Sequence, residues 1–151
     1  VNLRSIREKS ELLTRLSNTE LDLFESVSSE VQLADGEILF EEGGVADSFF
    51  TIVSGRIGLE LTSPGRAPVS IQTLGPGELV GVSWFFDPYR WNWRARALGD
   101  THLVAFDAVA IRQKCEVDRD LALEVLGVVA EEAVRRLHRT RIQLLDLYRS
   151  S

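Results

Sequence analysis

The sequence predicts a mainly β domain with helices at both ends, and three features carry that expectation. Between residues 31 and 106 the chain runs in short β-rich segments cut by glycine. Turns fall about every 8–12 residues there, the texture of a β-sandwich or a jelly-roll barrel. A helix-start signature precedes this zone, and a stretch of roughly 30 residues with helical periodicity follows it. The expected organisation is one domain, with helices over 1–30, a β-roll over 31–106 and helices over 107–149.

In the opening zone, apolar residues recur at Leu12, Leu13, Leu16, Leu21 and Phe24. Ser17-Asn18-Thr19-Glu20 has the form of a capping box, in which hydroxyl and carboxylate satisfy the first free amides of a helix. In VQLADGEILFEE, Asp35-Gly36 between alternating segments predicts a hairpin. SFFTIVSGRIGLELT reads as two strands around Ser54-Gly55, SPGRAP as a loop, VSIQTL as a strand and GPGE as a turn. ARALGDTHLVAFD closes the series. Asp107 and Asp118 are expected N-caps for a short helix and then a long one.

Along the long helix Ala130, Ala133, Leu137, Thr140, Leu144 and Leu147 follow one another at alternating spacings of three and four, a heptad seam with one polar member. A helix of roughly 30 residues spans about 45 Å, more than so small a domain needs for its own core. The seam is therefore expected to pair with a second copy as a twofold homodimer.

Composition removes several function classes. At 151 residues and 44% hydrophobic content the chain can bury a sizeable core. No apolar run approaches the about 18–20 residues that span a bilayer. The single Cys115 allows no internal disulfide and suits a reducing, cytoplasmic location; it is expected to pack rather than react. One cysteine and two distant histidines, His102 and His138, make no metal cage. No nucleophile–base constellation stands out, so catalysis is not expected. A net charge of −6 discourages nucleic-acid binding by the chain as a whole. Five arginines against Asp146 from residue 133 onward read as a solvated helix face, with a docking or nucleic-acid surface as the alternative.

The chemically unusual segment is GELVGVSWFFDPYRWNWRARAL, residues 77–98. Half of the twelve aromatic residues, including all three tryptophans, fall within ten positions of it, interleaved with Arg90, Arg94 and Arg96. Such a segment either holds a flat anionic ligand or fills a cavity with its own rings. Strand alternation puts 91, 93, 95 and 97 on one face, so if Trp93, Ala95 and Ala97 point inward, Arg94 and Arg96 face outward.

Taken in order, ADGEILFEEG at 34–43, the run from Phe49 through Gly55 to Ile57, and LGPGELVG at 74–81 resemble the cyclic-nucleotide-binding domain of the Crp/Fnr (catabolite activator) family. The likeness covers roughly residues 10–148. It implies a double-stranded β-helix jelly roll with a long C-terminal dimerisation helix. It also implies a cassette whose short helix presents amides to a cyclic phosphate, an arginine on that phosphate, a glutamate on the ribose and a Thr/Ser pair of the long helix on the base.

Carried over position by position, the glycine matches Gly81, but the glutamate position holds Val82, which accepts no hydrogen bond. Losing that acceptor costs a ribose hydroxyl about 1–3 kcal/mol. Arg90 is the first candidate for the phosphate arginine and Arg94 the second. Trp91, Asn92 and Trp93 stand where small residues are usual, and Thr140 and Arg141 take the base positions.

The expected contact set is Gly81, Val82, Ser83, Arg90, Trp91, Arg94, Thr140 and Arg141. The expected occupant is a small anionic ligand or a modified mode of cyclic nucleotide, with self-filling by the aromatics as the rival. The resemblance thus implies a non-catalytic ligand-sensing regulatory module with cAMP binding weak or lost. Its alternative is the sensor domain of a transcription regulator whose DNA-binding domain lies outside this chain.

Overall fold

A computed structural model describes residues 2–150. Three 3-10 turns (Leu3–Ser5, Arg7–Lys9 and Leu13–Arg15) lead into helix α1, Asn18–Ser26. Both halves of the capping box form: the Glu20 amide donates to Ser17 Oγ at 3.1 Å, and the Ser17 amide donates to Glu20 Oε1 at 2.9 Å. Eight strands follow: β1 (Ser28–Leu33), β2 (Ile38–Phe40), β3 (Ser48–Ser54), β4 (Ile57–Leu61), β5 (Val69–Leu74), β6 (Leu79–Val80), β7 (Arg94–Ala97) and β8 (Thr101–Asp107). Helices α2 (Ala108–Val117) and α3 (Arg119–Ser150) complete the chain. Asp107 and Asp118 cap them as expected, accepting from the amides of Ala110 at 3.0 Å and Leu121 at 3.1 Å.

The strands form two antiparallel four-stranded sheets, ordered β1-β8-β3-β6 and β2-β7-β4-β5. The β zone thus runs from Ser28 to Asp107, slightly wider than the spacing of turns predicts. One expectation is overturned: Asp35-Gly36 does not close a hairpin, because β1 and β2 belong to different sheets. The turn is instead a corner of the roll. Asp35 Oδ1 accepts from the Gly99 amide at 2.8 Å, and the Gly36 amide donates to the Ala97 carbonyl at 2.9 Å. Ser54-Gly55 likewise carries the chain from one sheet to the other.

Two cores result. One lies between the sheets, from Phe50, Ile52, Ile57, Leu59, Leu74, Val80, Ala95, Ala97 and Leu103. The other, larger, joins the helices to the outer face of the first sheet through Leu13, Phe24, Phe49, Trp84, Phe106, Ile111 and the buried start of α3 at Leu121, Val125, Val128 and Val129. Beyond Val129 the helix leaves that core, and its apolar residues turn to solvent. Cys115 is half-buried at this helical core, where burial pushes its thiol up to about 11, so it is a packed thiol at neutral pH.

Candidate functional site

The aromatic segment begins at the end of β6. Gly81 has φ +99°, a left-handed conformation that a side chain resists. Space forbids one as well: a Cβ there would lie 2.7 Å from both Cη2 and Cζ3 of Trp91. Trp91 is 5% exposed and stacks on Phe40 of β2, with centroids 3.9 Å apart and planes 11° from parallel. On the other side, Trp84 Nε1 donates to the Gly81 carbonyl at 3.1 Å while its ring stacks on Phe49, again at 3.9 Å. The glycine is enclosed by indoles. Each stacked pair contributes about 0.5–1.5 kcal/mol beyond area burial.

Alternation in β7 falls as the sequence requires: Ala95 and Ala97 are buried, Trp93 packs on the barrel core, and Arg94 and Arg96 lie on the opposite face. Arg94 Nε pairs with Glu41 at 3.0 Å and Arg96 Nε with Glu60 at 3.1 Å. The charge of Arg94 is thus met on the barrel's outer surface. Arg90 is exposed and donates only a long 3.4 Å bond to the Gly43 carbonyl. Val82 packs on the helical core, and Ser83 Oγ accepts from Asn92 Nδ2 at 3.3 Å. Of the expected contact set, then, the structure gathers Gly81, Val82 and Trp91 and leaves the arginines outside.

The segment between Trp84 and Trp91 is held by a residue that sequence reasoning missed. Arg112 of α2 donates to the Trp84 carbonyl at 2.6 Å and to the Ala46 carbonyl at 3.3 Å, and its guanidinium lies 4.0 Å from the ring centroid of Tyr89.

Long helix α3 meets the roll through polar groups. Thr140 Oγ1 donates to the Arg136 carbonyl at 2.8 Å, so it offers only a lone pair to Gln72 Nε2, 3.3 Å away. Gln72, on β5, also donates to the Arg136 carbonyl at 2.8 Å. Thr140 is thus engaged in docking its own helix. Arg141, one residue on and about 100° round the helix, is exposed and has no partner among the described residues.

Three of the five arginines of the basic run, Arg135, Arg136 and Arg139, are ion-paired where α3 meets the rest of the domain, while Arg141 and Arg149 are exposed as a solvated face requires. Arg136, 6% exposed, pairs with the fully buried Glu132 at 3.1 Å and donates to the Leu79 carbonyl at 2.8 Å, two residues before Gly81. Burial pulls the Arg136 pKa down, and Glu132 pulls it back up. Arg139 pairs with Glu78 at 2.6 Å, and Glu78 also stabilises its turn by accepting from the Gly75 amide at 2.6 Å. Arg135 Nη2 meets both Glu11 at 2.6 Å and Glu132 at 2.8 Å. One sequence signal was available for part of this cluster: Glu132 and Arg136 stand at i,i+4.

Two antiparallel four-stranded sheets forming a roll, followed by a long C-terminal helix, define the fold class of this chain. Residues 30–118 match the model of the cyclic nucleotide-binding domain, and the chain belongs to that family, in its Crp/Fnr-type branch. It is 27% identical over 117 residues to the CRP-like cAMP-activated global transcriptional regulator of Mycobacterium tuberculosis, a match covering 78% of this chain and 50% of the relative. The chain spans about half the length of the curated relatives it matches. Among solved structures, the N-terminal domain of a transcriptional regulator from Streptomyces coelicolor is similar at 28% identity and TM-score 0.67, with 92% of this chain and 94% of that one covered. The Thermus thermophilus catabolite activator protein is similar at 26% identity and TM-score 0.70, covering 92% of this chain and 63% of that one.

Proposed function

We propose that this chain is a non-catalytic regulatory module of the cyclic-nucleotide-binding type in which cAMP binding is weak or lost, because the protein's own indole occupies the phosphate seat. The observation that carries this reading is Trp91 lying across Gly81, at the distance of a clash with any added carbon. Two further features support it: Val82 supplies no acceptor for a ribose hydroxyl, and neither Arg90 nor Arg94 is directed at the glycine. The test is a thermal-shift comparison of wild type with the double variant Val82→Glu/Trp91→Ala in cAMP. At about 1 mM nucleotide, wild type is expected to show no shift, whereas a stabilisation matching micromolar affinity would refute the reading. A cAMP-dependent shift in the double variant alone would show that the cradle beneath the indole is intact.

The module is proposed to act as a homodimer through α3. Leu137 and Leu144 are 64% and 56% exposed, and Leu123, Leu126 and Leu147 extend the same stripe at heptad spacing. Sedimentation is expected to give a dimer at micromolar concentration and a monomer for Leu137→Glu, which places a charge in the seam. A wild-type monomer, or an unaffected variant, counts against the helix as the interface. The alternative, that the chain is the sensor portion of a longer transcription regulator, is favoured by the curated regulators it resembles, whose length it covers by about half.

A further inference from the structure

Past Arg136 the long helix lies on the roll with its polar face inward. From Leu137 to Arg149 no described residue of α3 is buried, so an apolar core does not hold this half of the helix. Arg136, Arg139, Thr140 and Gln143 stand at i, i+3, i+4 and i+7, the spacing of one helix face. Each of them is hydrogen-bonded to the roll. The apolar residues lie elsewhere on the helix, with Leu137, Leu144 and Leu145 half or more exposed. A helix in this orientation is placed by hydrogen bonds, because the hydrophobic effect has little apolar area to remove from water.

These bonds differ in how far water competes with them. Arg139 is partly exposed where it meets Glu78, and such a pair is weakened by solvent and salt. Gln143, whose Nε2 donates to the Ile71 carbonyl at 2.6 Å, is itself exposed. Gln72 is 6% exposed, and its Nε2 donates to the Arg136 carbonyl at 2.8 Å and to Thr140 Oγ1 at 3.3 Å. Of the roll residues that hold Arg139, Thr140 and Gln143, only Gln72 is buried.

Packing does not explain a glutamine at this position. Gln72 stands opposite Leu59 of β4, on the face of β5 that also buries Leu74 in the core between the sheets. The Arg136 carbonyl can only accept, so Nε2 is the end of the carboxamide that faces it. Oε1 is then left buried without a donor. An unpaired buried carbonyl is costly, and a leucine would fill the same space without one. Nor does the Arg136 carbonyl depend on Gln72, since Thr140 Oγ1 also donates to it at 2.8 Å. What the glutamine adds is the link from β5 to the helix.

We propose that Gln72 is a pin that keeps the distal half of α3 docked on the roll with no ligand present, so that the docked helix is the resting state of this protein. Withdrawing that one carboxamide leaves only bonds that water can reach, and the segment from Leu137 onward then leaves the roll as a unit. Because the same segment carries exposed leucines, the pin also sets where the apolar stripe stands relative to the roll. It goes beyond the filled seat at Gly81 and is independent of it: Trp91 lies over the end of β6, whereas Gln72 acts from β5.

The test is NMR on the whole chain without nucleotide. In wild type the side-chain amide protons of Gln72 are expected to show NOEs to Thr140. They are also expected to exchange with solvent at least about tenfold more slowly than those of an exposed glutamine. Absence of the NOEs, or exchange at the exposed rate, overturns the pin. The second arm is Gln72→Leu, which keeps the bulk of the side chain and removes its donor. This variant is expected to lose the NOEs between Ile71 and Gln143 while keeping those between β4 and β5. Retained contacts between Ile71 and Gln143 overturn the proposal. Loss of the β4–β5 contacts as well would make Gln72 part of the roll's own core and equally counts against it. Both arms are read without cAMP, so a wild type that binds cAMP would sink the filled seat and leave the pin standing, and a failed pin would leave the filled seat standing.

Discussion

Replacing Trp91 with alanine is expected to destabilise the domain by about 3–5 kcal/mol, within the range for deleting a buried indole. The ring is 5% exposed, stacks on Phe40 and covers Gly81, so its removal empties a space bounded by β2 and the end of β6. Neither boundary can collapse easily, since Phe40 is anchored to β7 and Gly81 is held by Trp84. Urea denaturation checks this: the midpoint is expected to fall while its slope stays constant. A loss below about 1 kcal/mol would mean that the indole is a removable lid rather than part of the core. The size of the effect therefore also distinguishes a plugged seat from an open one.

Glu132→Ala is expected to cost about 3–5 kcal/mol, because it strands Arg136 inside the protein without its counter-charge. Arg136 retains only its bond to the Leu79 carbonyl, and burial already opposes its charge. Replacing both partners, as in Glu132→Ala/Arg136→Met, removes the stranded charge and is expected to recover most of the loss. The comparison is again by chemical denaturation. A double variant as unstable as the single one would show that the pair's packing, not its charge balance, holds α3 to the roll.

Much of the local structure is legible in the chain because short-range chemistry sets it. Ser17 and Glu20 must cap a helix, Asp107 must cap another, and the alternation through Trp93, Ala95 and Ala97 leaves Arg94 and Arg96 no inward position. The resemblance to cyclic-nucleotide-binding domains is legible for the same reason, in glycine turns at fixed intervals. What is not legible depends on partners far away in sequence. Asp35-Gly36 looks like a hairpin until β1 is seen to pair with β8 and β2 with β7. The choice between a ligand seat and a filled one turns on Phe40 meeting Trp91. Nor can composition alone separate a solvated basic face from Arg136 reaching Leu79 across 57 residues.

The indole over Gly81 has one further consequence. A diffusible messenger fills its receptor in proportion to how much of it the cell makes, whereas a group carried on the same backbone is present at an effective concentration fixed by the chain, on the order of millimolar or above for a short tether. Any outside competitor must exceed that level before it displaces the ring. Under the function proposed above, a roll built this way holds a single setting whatever the messenger supply, and it answers to inputs that arrive somewhere else on its surface.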